Sequence, residues 1–544
     1  MELFGISQKG KSANVTAQNR LNCYIEVQPG DDRSKVAIYG TPGLVLLMSF
    51  GETPVRGIYQ KGDVWYAVHR GTLWEVNNAN VTTSRGTIGT TSGKVYMADN
   101  GTQLMITDGQ DGYIYFFNDI APVSITSITN STTTATLTTS APHNLVQGRI
   151  ITVTGATPAA YNGTFSILVT SPTTFEYEML TDPGGNASVV GSYTVPRFTQ
   201  ITDPDYPGAK TVTWMDGYFV VPQPTGQRFY ISGINDGINW DALDFASAES
   251  NPDQIVSIIT DNGNLNIFGD ISTEFWTNSG NTDFPFTRIS GGATEWGCAA
   301  VNSIAKFDNT LAFLAKNRMG QVIIARLNGY LPSRISNPEL EYIINNYRAV
   351  SDAVAFTYII GGHPMYQITF PTGGETWLYD GLSNCWSKLQ GYGITRHRAE
   401  LGINYLDRTI VTDYENGNVY TLNAEAYTDN GDPIAMELIS RHIGNDNKRF
   451  IIDELKLNME TGVGLNIGQG SNPQVMLAVS KDGGHTYGVE QWSPLGKIGE
   501  YLPDEVIWRR PCGVARDVVL KIRITEPVKR VILGSSLRIR GANT

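Results

Sequence analysis

Cysteine, charge and long apolar runs are all scarce in this chain, and each shortage removes a class of protein. Its 544 residues hold four cysteines, Cys23, Cys298, Cys385 and Cys512. They form no C-x-x-C pair and no short Cys/His spacing, which excludes a zinc ribbon or disulfide scaffold and points to buried free thiols in a reducing cytosol. Only 17% of residues are charged, with 52 acidic against 40 basic and a formal net charge of −12. That balance lacks the clustered Lys and Arg that a sequence-independent grip on nucleic acid needs. Two short basic strips, Arg396-His-Arg398 and Arg509-Arg510, read as surface charge. No apolar run approaches the about 18 residues of a membrane span, and Met1 to Val15 lack a signal-peptide core. The chain therefore reads as soluble and unsecreted, with no membrane segment.

Metal and cofactor signatures are missing as well. His69, His143, His363, His397, His442 and His485 are dispersed and form neither H-x-x-x-H nor H-E-x-x-H. Asp108-Gly-Gln-Asp111 and Asp429-Asn-Gly-Asp432 resemble pieces of calcium loops but lack the distal Glu, so they read as turns. The glycines at 462, 464, 468 and 470 precede no helix that could present its N-terminus to phosphate, and they read as a long loop. No P-loop, Rossmann fingerprint or nucleophile elbow is present, and no catalytic residue, metal or cofactor is expected.

What the chain has in quantity is turn formers and β-formers, with 57 Gly and 26 Tyr beside abundant Thr and Asn. This mixture predicts an all-β protein. A hairpin recurs along it, as at Val64-Trp-Tyr-Ala-Val68 with Thr72-Leu-Trp-Glu-Val76, and at Leu265-Asn-Ile-Phe268 with Thr273-Glu-Phe-Trp-Thr277. From Tyr218 to Leu422 the repeats start about 44 to 54 residues apart, the period of propeller blades. The widest interval holds a predicted helix, with Asn337 as N-cap, Pro338 at the first position, and Leu340, Ile343, Ile344 and Tyr347 on one face to dock on a neighbouring blade. The expected architecture is a six- or seven-bladed β-propeller. Residues 1–122 would form an N-terminal segment and the first hairpins, 123–195 an inserted small β-barrel or sandwich, 196–423 the rest of the propeller, and 424–544 a C-terminal antiparallel β-sandwich.

The sharpest single motif is Ser480-Lys-Asp482-Gly-Gly484-His-Thr486-Tyr487. It matches the S-x-D-x-G-x-T-W "Asp box" of sialidases and other propellers, with Tyr in place of Trp. Physically it is a hairpin turn. Asp482 accepts backbone N–H groups, Gly484 permits positive φ, and Thr486 with Tyr487 pins the returning strand, Ser480 opening the turn. It occurs once, outside the propeller region, and reads as structural. A competing reading is a glycan-binding or glycan-hydrolysing propeller enzyme, suggested by this box and by Trp240, Trp276, Trp296 and Trp377 taken as exposed aromatics. That chemistry would need an arginine cluster and a Tyr/Glu nucleophile pair, which no short arrangement signals.

Several ordered segments resemble the tail-nozzle, or packaged-DNA-stabilisation, proteins of short-tailed bacteriophages. They are Asn19-Arg-Leu-Asn-Cys-Tyr24 with Gly40-Thr-Pro-Gly43, then Thr376-Trp-Leu-Tyr-Asp380 with Trp386. Gly468-Gln-Gly470, Ser480 to Tyr487, Leu495-Gly496, Gly499-Glu-Tyr501 and Trp508-Arg509 follow. Ala141-Pro-His-Asn-Leu145, Gly155-Ala156, Tyr161-Asn-Gly-Thr-Phe165 and Ser171-Pro-Thr-Thr-Phe175 are similar to a small β-module of phage structural proteins, absent from the simplest nozzle proteins. The resemblance implies a non-enzymatic subunit of a homohexameric ring below the portal and its adaptor proteins, made in the bacterial cytoplasm and resident in the virion tail. It also implies passage and retention of duplex DNA without sequence-specific binding, and docking of tail fibres or tailspikes and a tip plug or needle. Which residues line the channel is not legible.

Overall fold

The computed structural model describes residues 17–27, 36–444, 446, 448–500 and 506–542. The first part of the expected N-terminal segment and Tyr501 lie outside the described residues. Strand accounts for 55% and helix for 3% of the protein, so it is all-β. The chain forms two compact units, one of Arg56–Ala293 and one of Met1–Val55 with Thr294–Thr544.

Four antiparallel meanders build the Arg56–Ala293 unit. The first is Val55–Lys61, Val64–His69, Thr72–Asn77 and Thr82–Thr87, and the third and fourth run from Thr213–Met215 to Asp236–Ser247 and from Ile255–Asp261 to Phe286–Thr294. The second is interrupted. Tyr96–Asp99, Gln103–Thr107 and Gly112–Phe116 are completed by Phe198–Gln200, with Tyr115 opposite Phe198. The inserted module leaves and rejoins the chain between these two hydrogen-bonded neighbours. Arg197 Nε donates to the Phe116 carbonyl at 2.8 Å, so the two stems are held side by side. In the module, Ile125–Ser131, Thr134–Thr139, Thr174–Glu178 and Leu168–Ser171 form one sheet, and Gly163–Ser166, Ile150–Thr157 and Val189–Thr194 another. Alternating Ile128, Leu137, Ile151, Val153, Phe175 and Tyr177 fill the space between them, as period-2 patterning requires.

The other unit holds three further meanders, which makes seven four-stranded meanders among the described residues. One runs from Trp296–Cys298 to Leu331–Arg334, and a second from Val354–Ile360 through His363–Phe370 and Glu375–Asp380 to Cys385–Leu389. The third takes Ala399–Tyr405, Arg408–Asp413 and Asn418–Asn423 and receives Gly43–Ser49 from the N-terminal region as its fourth strand, Leu422 opposite Leu44. Turn chemistry marks the repeat. The first two strands of successive meanders are joined by two-residue turns with both φ positive at Asp216-Gly217, Asn262-Gly263, Asp308-Asn309 and Gly361-Gly362. Such turns match the twist of the flanking strands. The longest interval, from 308 to 361, contains the helix Pro338–Ile344, capped by Asn337 Oδ1 accepting the Leu340 N–H at 2.8 Å. Leu340 and Ile344 are fully buried against Leu314, Ile324, Phe370 and Trp377, each worth about 1.5–3 kcal/mol. Tyr347 falls beyond the helix end and still packs on the same cluster.

The C-terminal sandwich departs from the expected boundary, because it recruits N-terminal chain. Cys23–Val27 and Val36–Gly40 extend the sheet of Val531–Gly541, Phe450–Met459 and Val506–Arg509. Cys23, Ile25 and Ile38 enter the core of Leu455, Leu477, Trp508 and Leu520. Asn19–Leu21 pairs with Met436–Ile439 on one side and, parallel, with Cys385–Leu389 on the other. One sheet thereby runs from a meander into the sandwich. Such pairings at a sequence distance of several hundred residues leave no local pattern to read.

Candidate functional site

The Asp-box-like residues come together in the turn between Gln474–Ser480 and Gln491–Pro494. Asp482 Oδ1 accepts the N–H groups of His485 (3.1 Å) and Thr486 (2.9 Å) and the Ser480 hydroxyl (2.6 Å), and Oδ2 accepts the Thr486 hydroxyl (2.5 Å). Those donors, the Ser480 and Thr486 hydroxyls foremost, hold the carboxyl far below the usual carboxylate range. Gly483 and Gly484 have φ of +74° and +87°. A Cβ at 484 would lie 2.8 Å from the Ala17 Cβ. Tyr487 is half-buried beneath the Lys521 ammonium at 4.5 Å, and burial pushes its phenol up to about 12. Asp482 itself is exposed, so the donors it satisfies are within reach of water. The Asp482 carboxylate and the Ser480 and Thr486 hydroxyls are thus engaged with one another within the turn.

Other candidate chemistry is likewise spent on the fold. The basic strip at 396–398 is not free surface charge. Arg396 stacks on Tyr414 at 3.4 Å, and Arg398 sits 3.1 Å from Glu415 and 3.5 Å from Asp413. His397 between them is buried, its pKa lowered to about 4 by desolvation and then by Arg398. All four cysteines are buried and free, and burial raises the Cys23 thiol to about 12. Asp108 accepts the N–H groups of Gln110 and Asp111, and Asn430-Gly431 form a positive-φ turn between Asp429 and Asp432. Both calcium-like fragments are turns. Among the described residues no three His, Cys, Asp or Glu side chains converge as metal ligands do. Trp240, Trp276 and Trp377 are buried in clusters, and Trp296 is half-buried. Three of the four aromatics of the glycan reading are therefore core residues.

The segments that carry the phage resemblance resolve into joints. In the N-terminal motif, Arg20 is buried and donates twice to the Trp386 carbonyl, at 2.6 and 3.2 Å. Asn22, at φ +52°, donates to the carbonyls of Gln390 and Ala435 and accepts the Gln390 N–H, each at 2.9 Å. One amide thus ties a meander to the start of the sandwich, a role that sequence patterning did not assign. In the meander motif, Asp380 accepts His363 Nδ1 (2.9 Å), the Ser383 hydroxyl (2.6 Å) and the Leu382 N–H (2.9 Å). In the module, His143 holds two motifs together. Its Nε2 donates to the Ser171 carbonyl (3.1 Å), its Nδ1 accepts the Leu145 N–H (3.0 Å), and its ring meets Phe175 edge-on. Asn162 pairs with both the N–H and C=O of Ala156 at 2.8 Å.

Two family models match in chain order. The bacteriophage P22 Gp10 β-propeller covers residues 175–427 and the bacteriophage P22 Gp10 β-sandwich covers 435–540. The chain belongs to the P22 Gp10 family. It is a phage structural tail protein with a β-propeller and a C-terminal β-sandwich. The propeller match begins inside the inserted module, before its last strand Val189–Thr194. No curated protein matches the chain. Among solved structures it is similar to the computationally designed Ika8 protein, at 11% identity and TM-score 0.33, covering 71% of this chain and 100% of that one. It is also similar to the WD40 β-propeller domain of Doa1, at 9% identity and TM-score 0.32, with 70% and 96% covered. Kluyveromyces lactis Hsv2 follows at 10% identity and TM-score 0.25, with 62% and 97% covered. At these TM-scores the three likenesses carry no argument.

Proposed function

We propose that this chain is the subunit of a tail tube, or nozzle, below the portal and its adaptor. It conducts duplex DNA, helps retain it after packaging, and docks tail fibres or tailspikes and a tip plug or needle. The ordered match of both Gp10-family models carries the proposal. The consumption of motif residues in turns and clamps supports a load-carrying part over an enzyme, since groups bonded internally are not available for proton or nucleophile work. In this reading the meanders are propeller blades and six chains close a ring. The subunit is made in the host cytoplasm and resides in the virion tail.

A hexamer of chains at −12 each carries 6 × (−12) = −72. An acidic or neutral-polar bore keeps the duplex off the wall over a screening distance of about 8 Å, whereas a basic one would hold it by counterion release. Negative-stain imaging of the purified protein, alone and mixed with a portal–adaptor complex, tests the assembly. Six-fold rings that cap the adaptor are expected, and a monomer that never joins the complex would defeat the proposal. Continuous Lys or Arg rings along the bore, or tight salt-sensitive duplex binding, would defeat the electrostatic part.

A further inference from the structure

The inserted module has a gap in its β-wall. Gly163–Ser166 pairs with Ile150–Thr157 in one sheet, the chain crosses at Ile167, and Leu168–Ser171 pairs with Thr174–Glu178 in the other. Leu168 lies opposite Glu176, so Tyr177 and Glu178 have a strand partner only on the side of Thr134–Thr139. Gly163–Ser166 is likewise paired on one side only, among the described residues. Between these one-sided edges lies a cleft of about 740 Å3. Phe165 stacks on Tyr177 in its floor, centroids 4.5 Å apart. Its lip carries Leu180, 99% exposed, and Leu168, 50% exposed. Edge strands are ordinarily blunted by Lys, Pro or a covering element. Gly163-Thr-Phe-Ser166 has no charge and no Pro.

We propose that this gap docks an extended segment of a partner protein as an added strand, with alternating basic and apolar residues. The charge pattern selects the partner. Glu176 and Glu178 are two residues apart on one strand and so share a face. One oxygen of each accepts a threonine hydroxyl, from Thr136 at 3.3 Å and from Thr134 at 2.6 Å. Residues 123–195 contain no Lys, and their single Arg149 and single His143 are buried. The exposed charge of the module is therefore negative. In an added strand, every second side chain meets the two carboxylates while those between meet the Phe165 and Leu180 surface, and main-chain bonds to the free edges supply register. A glycan fits less well, because Phe165 and Tyr177 stack on each other instead of offering a free ring face.

The test uses full-length protein and three fluorescein-labelled heptapeptides read by anisotropy. One is alternating Lys and Val, one alternating Glu and Val, and one the Lys peptide with each Val replaced by Pro. The Lys/Val peptide is expected to bind about tenfold or more tighter than either other, since Pro keeps the charge but cannot donate to a strand edge. The double variant Glu176→Gln, Glu178→Gln keeps the threonine bonds and is expected to weaken binding about tenfold. Hydrogen exchange should slow at the amides of Thr164, Ser166 and Glu178, which point to the open edges, when the peptide binds. Equal binding of the Pro peptide, an unaffected double variant, no binding by any peptide, or displacement by a neutral oligosaccharide would each overturn the proposal. It stands independently of the tube reading, since none of these measurements requires a ring.

Discussion

Replacing His397 by Asn should remove a pH dependence that the structure builds into the larger unit. The imidazole is buried. Its Nδ1 accepts the Ala399 N–H at 3.2 Å and lies 3.5 Å from Gln367 Nε2. Burial disfavours the charged ring and the neighbouring Arg398 adds repulsion, so the folded-state pKa falls from 6.5 to about 4. Below about pH 6.5 the unfolded chain takes up a proton that the folded chain refuses. Stability therefore rises with pH between about 4 and 6.5 and is level above that window. A shift of this size is worth about 3 kcal/mol across the window. Asparagine keeps an acceptor near the Nδ1 position and carries no proton in this range. Wild type should lose about 3 kcal/mol relative to His397→Asn as pH falls from 7 to 4, roughly 5 °C in the thermal midpoint of a unit this large. Paired calorimetric scans at matched pH measure the difference, in which other titrating groups cancel. A difference independent of pH would refute the argument.

Asp429 should act in the opposite sense: burial raises its carboxyl to about 7 despite the neighbouring Arg530, so wild-type stability falls as pH rises from about 4 to 7. Asp429→Asn should gain on wild type over that window, by up to roughly 4 kcal/mol, in the same calorimetric comparison. Asn22→Ala leaves buried groups of Gln390 and Ala435 unpaired and puts Ala, which tolerates the left-handed region less well than Asn, at φ +52°; a loss of about 3 kcal/mol in denaturant unfolding is expected. Replacing Ser124 to Thr194 by a short Gly/Ser linker should leave a cooperatively melting protein, because Phe116 and Arg197 remain bonded neighbours and closure depends weakly on linker length. Insoluble product would place the module in the main core.

The repeat was legible because its cause is local. Asn262-Gly263 between alternating apolar strands dictates a tight hairpin whatever surrounds it, and Asn337-Pro338 starts a helix by the same local logic. Residues 123–195 carry their own alternation and their own hydrophobic cluster, so their strands follow from local pattern as well. What escaped was pairing between distant segments. Nothing in Gly43-Leu-Val-Leu-Leu-Met-Ser49 says that its partner is Asn418–Asn423. Nothing in Cys23-Tyr-Ile-Glu-Val27 says that it belongs to a sandwich begun four hundred residues later. The candidate turn at 480–487 was legible residue by residue, but its exposure was not, because burial depends on what the rest of the sheet covers. The gap beside Gly163–Ser166 was hidden for the same reason, since an unpaired edge is a property of neighbours.

Those distant pairings bear on how the larger unit can carry load. Asn19–Leu21 is hydrogen-bonded to a meander strand on one side and a sandwich strand on the other, and Arg20 and Asn22 add side-chain bonds to Trp386, Gln390 and Ala435. Pulling the sandwich from that meander therefore requires breaking a sheet, not opening a linker. A few residues further on, Gly43–Ser49 is zipped into the last meander. Separating the two ends of this unit would expose unpaired backbone along both seams, each buried group costing about 1–3 kcal/mol. Such a closure favours all-or-none behaviour over stepwise opening. The closure is made by main-chain ladders at both seams and by the side-chain bonds of Arg20 and Asn22.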